Sequence, residues 1–318
     1  MQTNRLLALL LVVICFVSAV VGFKNQRSVL VPPTQENHLE IVRLTGAITS
    51  DPNTLDVRDR LLEILEEDNV KGVLLSINSP GGTVAASQEI YQAVRRLREK
   101  KPVYVSMLDV AASGGYYVAS AADRVYANDG TLTGSIGVIL SGFNVGKLLE
   151  RLGVEPQTIK TGPYKDIFSP YRKLSDSERE LLQGLIQDTY EKFVADVAAG
   201  RNLDPKVVRE VADGRVFTGR QALQNKLVDA IGTQSQVEID LRAAARAKFG
   251  LKESEKLPLR ESRRSFDRLL QRFLQGKLGV FGRSGVPSLE VPILLMPSWF
   301  LPQEFVVYSE LGKVLEPQ

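Results

Sequence analysis

From Leu39 onward, short apolar runs alternate with amphipathic stretches, and this alternation leaves few architectures open to the chain. LEIVRL (39–44) reads as a strand and is followed by the turn-rich TGAITSDPN. Residues 55–68 place Leu55, Leu61, Leu62 and Leu65 on one helical face. GVLLSI (72–77) is nearly all apolar, the pattern of a strand buried on both faces of a parallel sheet. Residues 84–100 read as a helix whose cations gather in the last turns, where they complement the helix dipole. PVYVSM (102–107) is a third strand. RVYA (124–127), GSIGVI (134–139) and EPQTIKTG (155–162) also read as strands, and VGKLLERLG (145–153) as a helix ended by Gly153. Ser175 and Glu178 form a capping box that opens a long helix to about Ala199. Strands alternating with helices predict an α/β fold with a mainly parallel sheet and right-handed crossovers.

Both ends depart from this pattern. Leu6–Phe23 holds 18 residues without a charge, long enough to span a bilayer as an uncleaved anchor. A cleaved signal would have a shorter apolar region and a small-residue cleavage site. Arg5 on one side nearly balances Lys24 and Arg27 on the other, so charge does not orient the span. Residues 24–38, with Pro32-Pro33, read as a tether. Past Leu251 the chain becomes basic: eight Lys/Arg against two Asp/Glu lie between Lys256 and Arg283. Within that stretch 265–278 is expected to form a basic amphipathic helix, with Phe266, Leu269, Leu270, Phe273, Leu274 and Leu278 on one face, which suits a membrane surface or the protein body. The expected organisation is an anchor and tether (1–38), a body (39–250) and a tail (251–318).

Composition removes several kinds of chemistry. The only cysteine is Cys15 and the only histidine is His38. No intrachain disulfide, thiolate cluster or histidine-based metal centre can form, and no metal or cofactor is expected. The net charge of +3 is spread unevenly and gives no nucleic-acid footprint. Any serine-histidine pair would have to use His38, which lies in the tether.

Two loops follow the carboxyl ends of predicted parallel strands, where sites form in open α/β sheets. They are NSPGG (78–82) and the segment DVAASGGYYVASAADRVYA that begins at Asp109. Ser113 would open a helix there. Gly81, Gly82 and Gly114 leave backbone N–H groups uncovered, as an oxyanion hole requires. The same glycines also suit tight turns with close helix packing. A nucleophilic serine needs a proton acceptor. Lys165, in TGPYKDIFSPYRKLS (161–175), sits among Pro163, Tyr164, Ile167 and Phe168, an apolar setting in which burial favours the neutral amine. Most lysines are instead solvated surface charges.

NSPGG, VSMLDVAASGGYYVASAADRVYA, TLTGSIGV, TGPYKDIFSPYRKLSDSER and ADGRVFTGRQALQNKLVDAIG occur in this order. Together they resemble the signal peptide peptidase A family, the S49 serine proteases, over about residues 39–245. The resemblance implies a ClpP/crotonase-like fold of repeated β-β-α units. It implies Ser113 as nucleophile, Lys165 as general base, and Gly81 and Gly82 in the oxyanion region, with Gly114 beside them. Thr133 and Ser135 are candidates to orient Lys165, or to pack at a strand end. The resemblance implies the short form of the family, with one catalytic unit. The resemblance implies a ring-shaped homo-oligomer, with Lys165 acting within one subunit or between two. The implied substrates are cleaved signal peptides and other apolar or misfolded peptides. The implied location is the cell membrane, with the catalytic domain on the extracytoplasmic side. An inactive membrane-anchored scaffold and a crotonase-type acyl-CoA enzyme are the alternative readings.

Overall fold

The apolar runs that open the body become the centre of one eight-stranded sheet in the computed structural model, which describes residues 36–262 and 293–294. Along the chain the elements are β1 (His38–Thr45), α1 (Pro52–Ile64), β2 (Val70–Ser79), β3 (Gly82–Thr83), α2 (Val84–Lys100), β4 (Val103–Ala112), α3 (Gly114–Ala119), β5 (Arg124–Ala127) and β6 (Leu132–Gly134). They continue as α4 (Gly146–Arg151), α5 (Asp176–Arg201), α6 (Pro205–Val211), β7 (Val216–Thr218), α7 (Gly219–Gln224), β8 (Ala230–Ile231), α8 (Gln234–Phe249), β9 (Leu259–Glu261) and β10 (Ile293–Leu294). The sheet order is β7-β6-β4-β2-β1-β9, with β5 on β4 and β8 on β5. All its pairings are parallel except β6 with β7. The α/β class and the mainly parallel sheet are as expected.

Consecutive side chains of a strand point to opposite faces, and here both faces are covered. Leu75, Ile77, Val105 and Met107 pack with residues of α1, α2, α3 and the carboxyl-terminal part of α5. Leu74, Tyr104 and Tyr126 pack with Val237, Leu241 and Ala245 of α8. Each large apolar side chain buried this way contributes about 1.5–3 kcal/mol.

β4 changes partner along its length. Tyr104–Met107 pair with β5, whereas Val110–Ala112 pair with β6. Its register with β2 shifts between Ile77 and Ser79. The sheet therefore opens at the carboxyl ends of β2 and β4, where the two glycine loops leave it.

Several expectations change. The strand expected at 134–139 ends at Gly134, because Gly134 and Ser135 both take positive φ, 77° and 50°, which turns the chain out of the ladder. No strand forms at 155–162; residues 155–161 are exposed, and only Ile159 among them is a large apolar side chain. His38 is not in a tether but is the first residue of β1, buried at the amino-terminal edge of the sheet. The sheet also runs past residue 250, since β9 pairs with β1 and Leu257 is buried in the core. The apolar run 6–23 and the helix expected at 265–278 lie outside the described residues. Among the described residues, no helix is long and apolar enough to cross a membrane.

Candidate active site

Ser113 stands where β4 ends, and its backbone is unusual. Its φ of 53° and ψ of −120° lie in a region that residues with a Cβ rarely adopt, and such strain persists only where surrounding structure enforces it. The enforcement is visible: Ser113 N–H donates to the Gly134 carbonyl at 2.8 Å, and its own carbonyl accepts the Tyr117 N–H at 2.8 Å. Ser113 occupies the N-cap position of α3, yet its hydroxyl makes no capping hydrogen bond. The hydroxyls of Ser175 and Thr218, which cap α5 and α7, do accept amide N–H groups. The Ser113 hydroxyl is thus held at a helix start without serving it, and the residue is only 2% exposed.

Both tyrosines that follow are anchors. The Tyr116 hydroxyl donates to the Leu227 carbonyl at 3.0 Å, and the Tyr117 hydroxyl donates to Asp196 of α5. Burial pushes the pKa of both phenols up, and for Tyr117 the Asp196 carboxylate adds to this. They remain neutral donors that pin α3 from behind.

The glycines bring the second loop against the first. A Cβ on Gly82 would lie 1.8 Å from the Ile48 carbonyl oxygen, so no larger residue fits. Ile48 N–H donates to the Gly81 carbonyl at 2.9 Å, and Thr83 N–H donates to the Ile48 carbonyl at 2.7 Å. In that parallel pairing Gly82's own N–H and carbonyl face the opposite edge. On that side, a Cβ on Gly114 would lie 3.2 Å from the Gly82 nitrogen and 3.3 Å from the Gly81 Cα. Asn78 ties the loops together, accepting the Val110 N–H at 3.1 Å and reaching Asp109 at 3.3 Å. Ser113, Gly114, Gly81 and Gly82 therefore converge. The edge of β3 is also where β10 pairs, with Leu294 opposite Gly82 and Ile293 opposite Thr83.

Thr133 and Ser135 flank the Gly134 carbonyl that holds Ser113. Thr133 donates its hydroxyl to the Ala111 carbonyl at 2.7 Å, a bond between β6 and β4. Ser135 is buried, and its N–H donates to the Arg215 carbonyl at 2.8 Å.

Lys165 lies in a different setting. It sits on an arm, residues 139–175, that leaves the sheet after β6 and returns at α5. The expected apolar enclosure is absent among the described residues: Lys165 is exposed, and Tyr164 and Phe168 are nearly half exposed. No side-chain hydrogen bond or ion pair engages Lys165 among the described residues, and none joins it to Ser113. The arm also exposes Phe143 (84%), Leu148, Leu152 and Ile159 (103%), an apolar surface that a lone soluble chain rarely carries. His38 starts β1 at the amino-terminal edge, whereas Ser113 follows the carboxyl end of β4, so it lies at the wrong end of a parallel sheet to act as base.

Sequence reasoning missed the ionic cluster beside Lys165. Arg172 is gripped by Asp166 and Glu178, and Lys160 reaches Asp166 as well. The only sequence sign of it was the capping box that contains Glu178.

The profile of Peptidase family S49 matches residues 95–248, and that of Clp protease matches residues 36–128. A Synechocystis sp. protein that carries the name of a protease is 50% identical over 193 residues, which is 61% of this chain and 69% of that protein. An Enterococcus faecium protein that carries the name signal peptide peptidase is 46% identical over 174 residues, 54% of this chain and 51% of that protein. The chloroplastic serine protease SPPA of Arabidopsis thaliana is 37% identical over 211 residues, 63% of this chain but 31% of that protein.

Proposed function

This chain belongs to peptidase family S49 and is a serine peptidase, and from that premise we propose that it is a membrane-anchored endopeptidase working through a Ser113–Lys165 dyad. The observation that carries the reading is Ser113 itself, held at a strained φ of 53° beside Gly81 and Gly82 with its hydroxyl left out of the helix cap.

In the proposed reaction Ser113 Oγ attacks a peptide carbonyl carbon, and its proton passes to the neutral Lys165 Nζ. Backbone N–H groups at Gly114 and, once a substrate strand has displaced β10 from the edge of β3, at Gly82 receive the oxyanion. Gly81 N–H is not used, because it already donates to the Ser79 hydroxyl at 3.2 Å. The intermediate collapses, the amine leaves with the proton from Lys165, and an acyl ester remains on Ser113. Water then attacks the ester, giving one proton to Lys165 and releasing the acid as Ser113 regains its proton. No cofactor or metal takes part. Thr133 and Ser135 hold the strand end on which Ser113 depends; a hydrogen bond from Lys165 to either would orient the amine.

Lys165 needs an apolar enclosure that the described residues do not provide. We assign that enclosure to a second copy packed on the exposed arm, in a homo-oligomer whose sites lie near subunit interfaces. The substrates are extended apolar peptides, including cleaved signal peptides, in keeping with the name of the Enterococcus relative. The run 6–23 holds the enzyme at the membrane beside them, with the body on the extracytoplasmic side.

The test is a fluorophosphonate label and an apolar peptide substrate. Ser113 should be the labelled residue, Lys165→Ala should abolish turnover, and His38→Ala should leave it intact. Turnover should rise with pH, because only the neutral amine can accept the Ser113 proton. Near-normal turnover by Lys165→Ala would refute the dyad.

A further inference from the structure

The turn that carries Lys165 contains no regular element, yet both flanks of the lysine are tied down. Arg172 donates from Nε to Asp166 Oδ2 at 3.0 Å and from Nη2 to Asp166 Oδ1 at 2.7 Å. The same guanidinium donates from Nη1 and Nη2 to Glu178 at 2.8 and 2.6 Å. Glu178 is buried at the first turn of α5, where it also accepts the Ser175 N–H at 2.8 Å. Lys160 Nζ reaches Asp166 at 2.6 Å and the Pro163 carbonyl at 3.0 Å. The residue before Tyr164 and the residue after Lys165 are therefore fixed, and the fixing runs through one planar fork to the long helix.

We propose that Arg172 is a positioning residue for Lys165, clamping the lysine's turn to α5 and occupying the Asp166 carboxylate so that it does not pair with the lysine.

This rests on Lys165 being the base. A base lysine must be neutral, and the carboxylate next to it in sequence would stabilise the ammonium instead. Two other cations, Lys160 and Arg172, take that carboxylate, while Glu178 balances the second face of the guanidinium. These four are the charged groups bound into the turn from the preceding segment, the turn itself and α5. A bidentate guanidinium suits this double grip; an ammonium is a point charge without the planar fork. α5 in turn holds Tyr117 of the nucleophile helix through Asp196, so one helix reaches both halves of the proposed dyad.

The test uses the full-length chain and pH–rate profiles for an apolar peptide. Arg172→Gln should lower kcat by about 100-fold, the scale of a small misplacement of a catalytic group, with KM little changed. Its rising limb should move to higher pH, because Asp166, then held by Lys160 alone, can also pair with Lys165. Asp166→Asn should also lower kcat, but with its rising limb unmoved or moved to lower pH, and it serves if Arg172→Gln does not fold. Arg172→Lys should fall between wild type and Arg172→Gln. A loss of stability alone would lower activity at every pH without moving the limb. If the limb stays in place in Arg172→Gln, or moves upward in Asp166→Asn, the proposal is overturned. Lys165→Ala separates the two levels: if it is inactive while Arg172→Gln matches wild type, only the positioning role fails, and if it is active, the dyad itself fails.

Discussion

The Ser113 loop and the Lys165 arm are held in place by different means. Around Ser113 the fixing is covalent geometry and backbone: a strand end, a strained residue, two glycine contacts and two buried tyrosines. Around Lys165 it is ionic: a guanidinium, two carboxylates and a second lysine, on a segment whose apolar side chains face outward. Backbone fixing is complete within one chain. The arm's apolar surface is not covered within the described residues, which is the arrangement expected where part of a site is finished by assembly. The first half should therefore tolerate changes of salt and concentration that disturb the second.

The largest effect expected is on turnover, and it should treat the two halves alike. Ser113→Ala and Lys165→Ala should each reduce kcat by on the order of 10⁴-fold or more, as loss of a nucleophile or its base does elsewhere. Peptide hydrolysis with active-site titration measures this. The comparison would break if one variant retained substantial activity.

Stability should separate the halves. Gly82→Ala must push a Cβ against the Ile48 carbonyl and should cost about 1–3 kcal/mol. Phe143→Ser with Ile159→Ser alters exposed side chains and should change monomer stability by about 0.5 kcal/mol or less. That pair should instead lower the oligomeric state and, with it, activity. Thermal unfolding and sedimentation on the same samples decide the matter. An arm variant that assembles and turns over normally would remove the assembly argument.

The same division governs what could be read from the sequence. The helix at 84–100 and the strands around 72–77 and 124–127 were legible because a core imposes a period on them. Ser113 stood out because small residues crowd it for a packing reason, and the glycines at 82 and 114 were read both ways, as turn and as site; the structure shows the close approach that the turn reading required. The arm has no period. EPQTIKTG looked like a strand, yet it has no neighbouring strand among the described residues and stays exposed. Lys165 was a candidate from its apolar neighbours in sequence and was singled out as the base by the resemblance; the apolar setting itself is not met among the described residues. The clamp joining Asp166, Arg172 and Glu178 was illegible because contacts between irregular segments leave no repeating pattern.

A smaller effect probes the strain. With φ at 53°, a side chain at residue 113 is disfavoured, whereas glycine adopts positive φ freely. Ser113→Gly should be inactive like Ser113→Ala but more stable than it by about 1 kcal/mol. Equal unfolding midpoints for the two would show that the site stores no backbone strain.

The smallest effect is on acid and salt. Hydrogen bonds from Arg172 hold the Glu178 pKa down at about 2 and, together with those from Lys160, hold Asp166 well below the usual carboxylate range. A carboxylate whose folded-state pKa is depressed contributes stability that is present above its ordinary value, near 4.5 for Glu178, and is lost as pH falls through the folded value. The arm should therefore keep its order at pH 5 and lose it progressively between about pH 4.5 and 2. High salt should weaken it further, because the guanidinium and Lys160 are partly exposed and such pairs are screened. The buried contacts of β4 and α3 should respond less over that window. Hydrogen exchange, corrected for intrinsic rate, reads both regions at once: the Ser169 and Ser175 amides report on the arm, and the Ser113 and Tyr117 amides on the nucleophile loop. Protection lost in step at all four amides would mean that the two halves are one cooperative unit, and that the ionic clamp does not set the arm's stability separately.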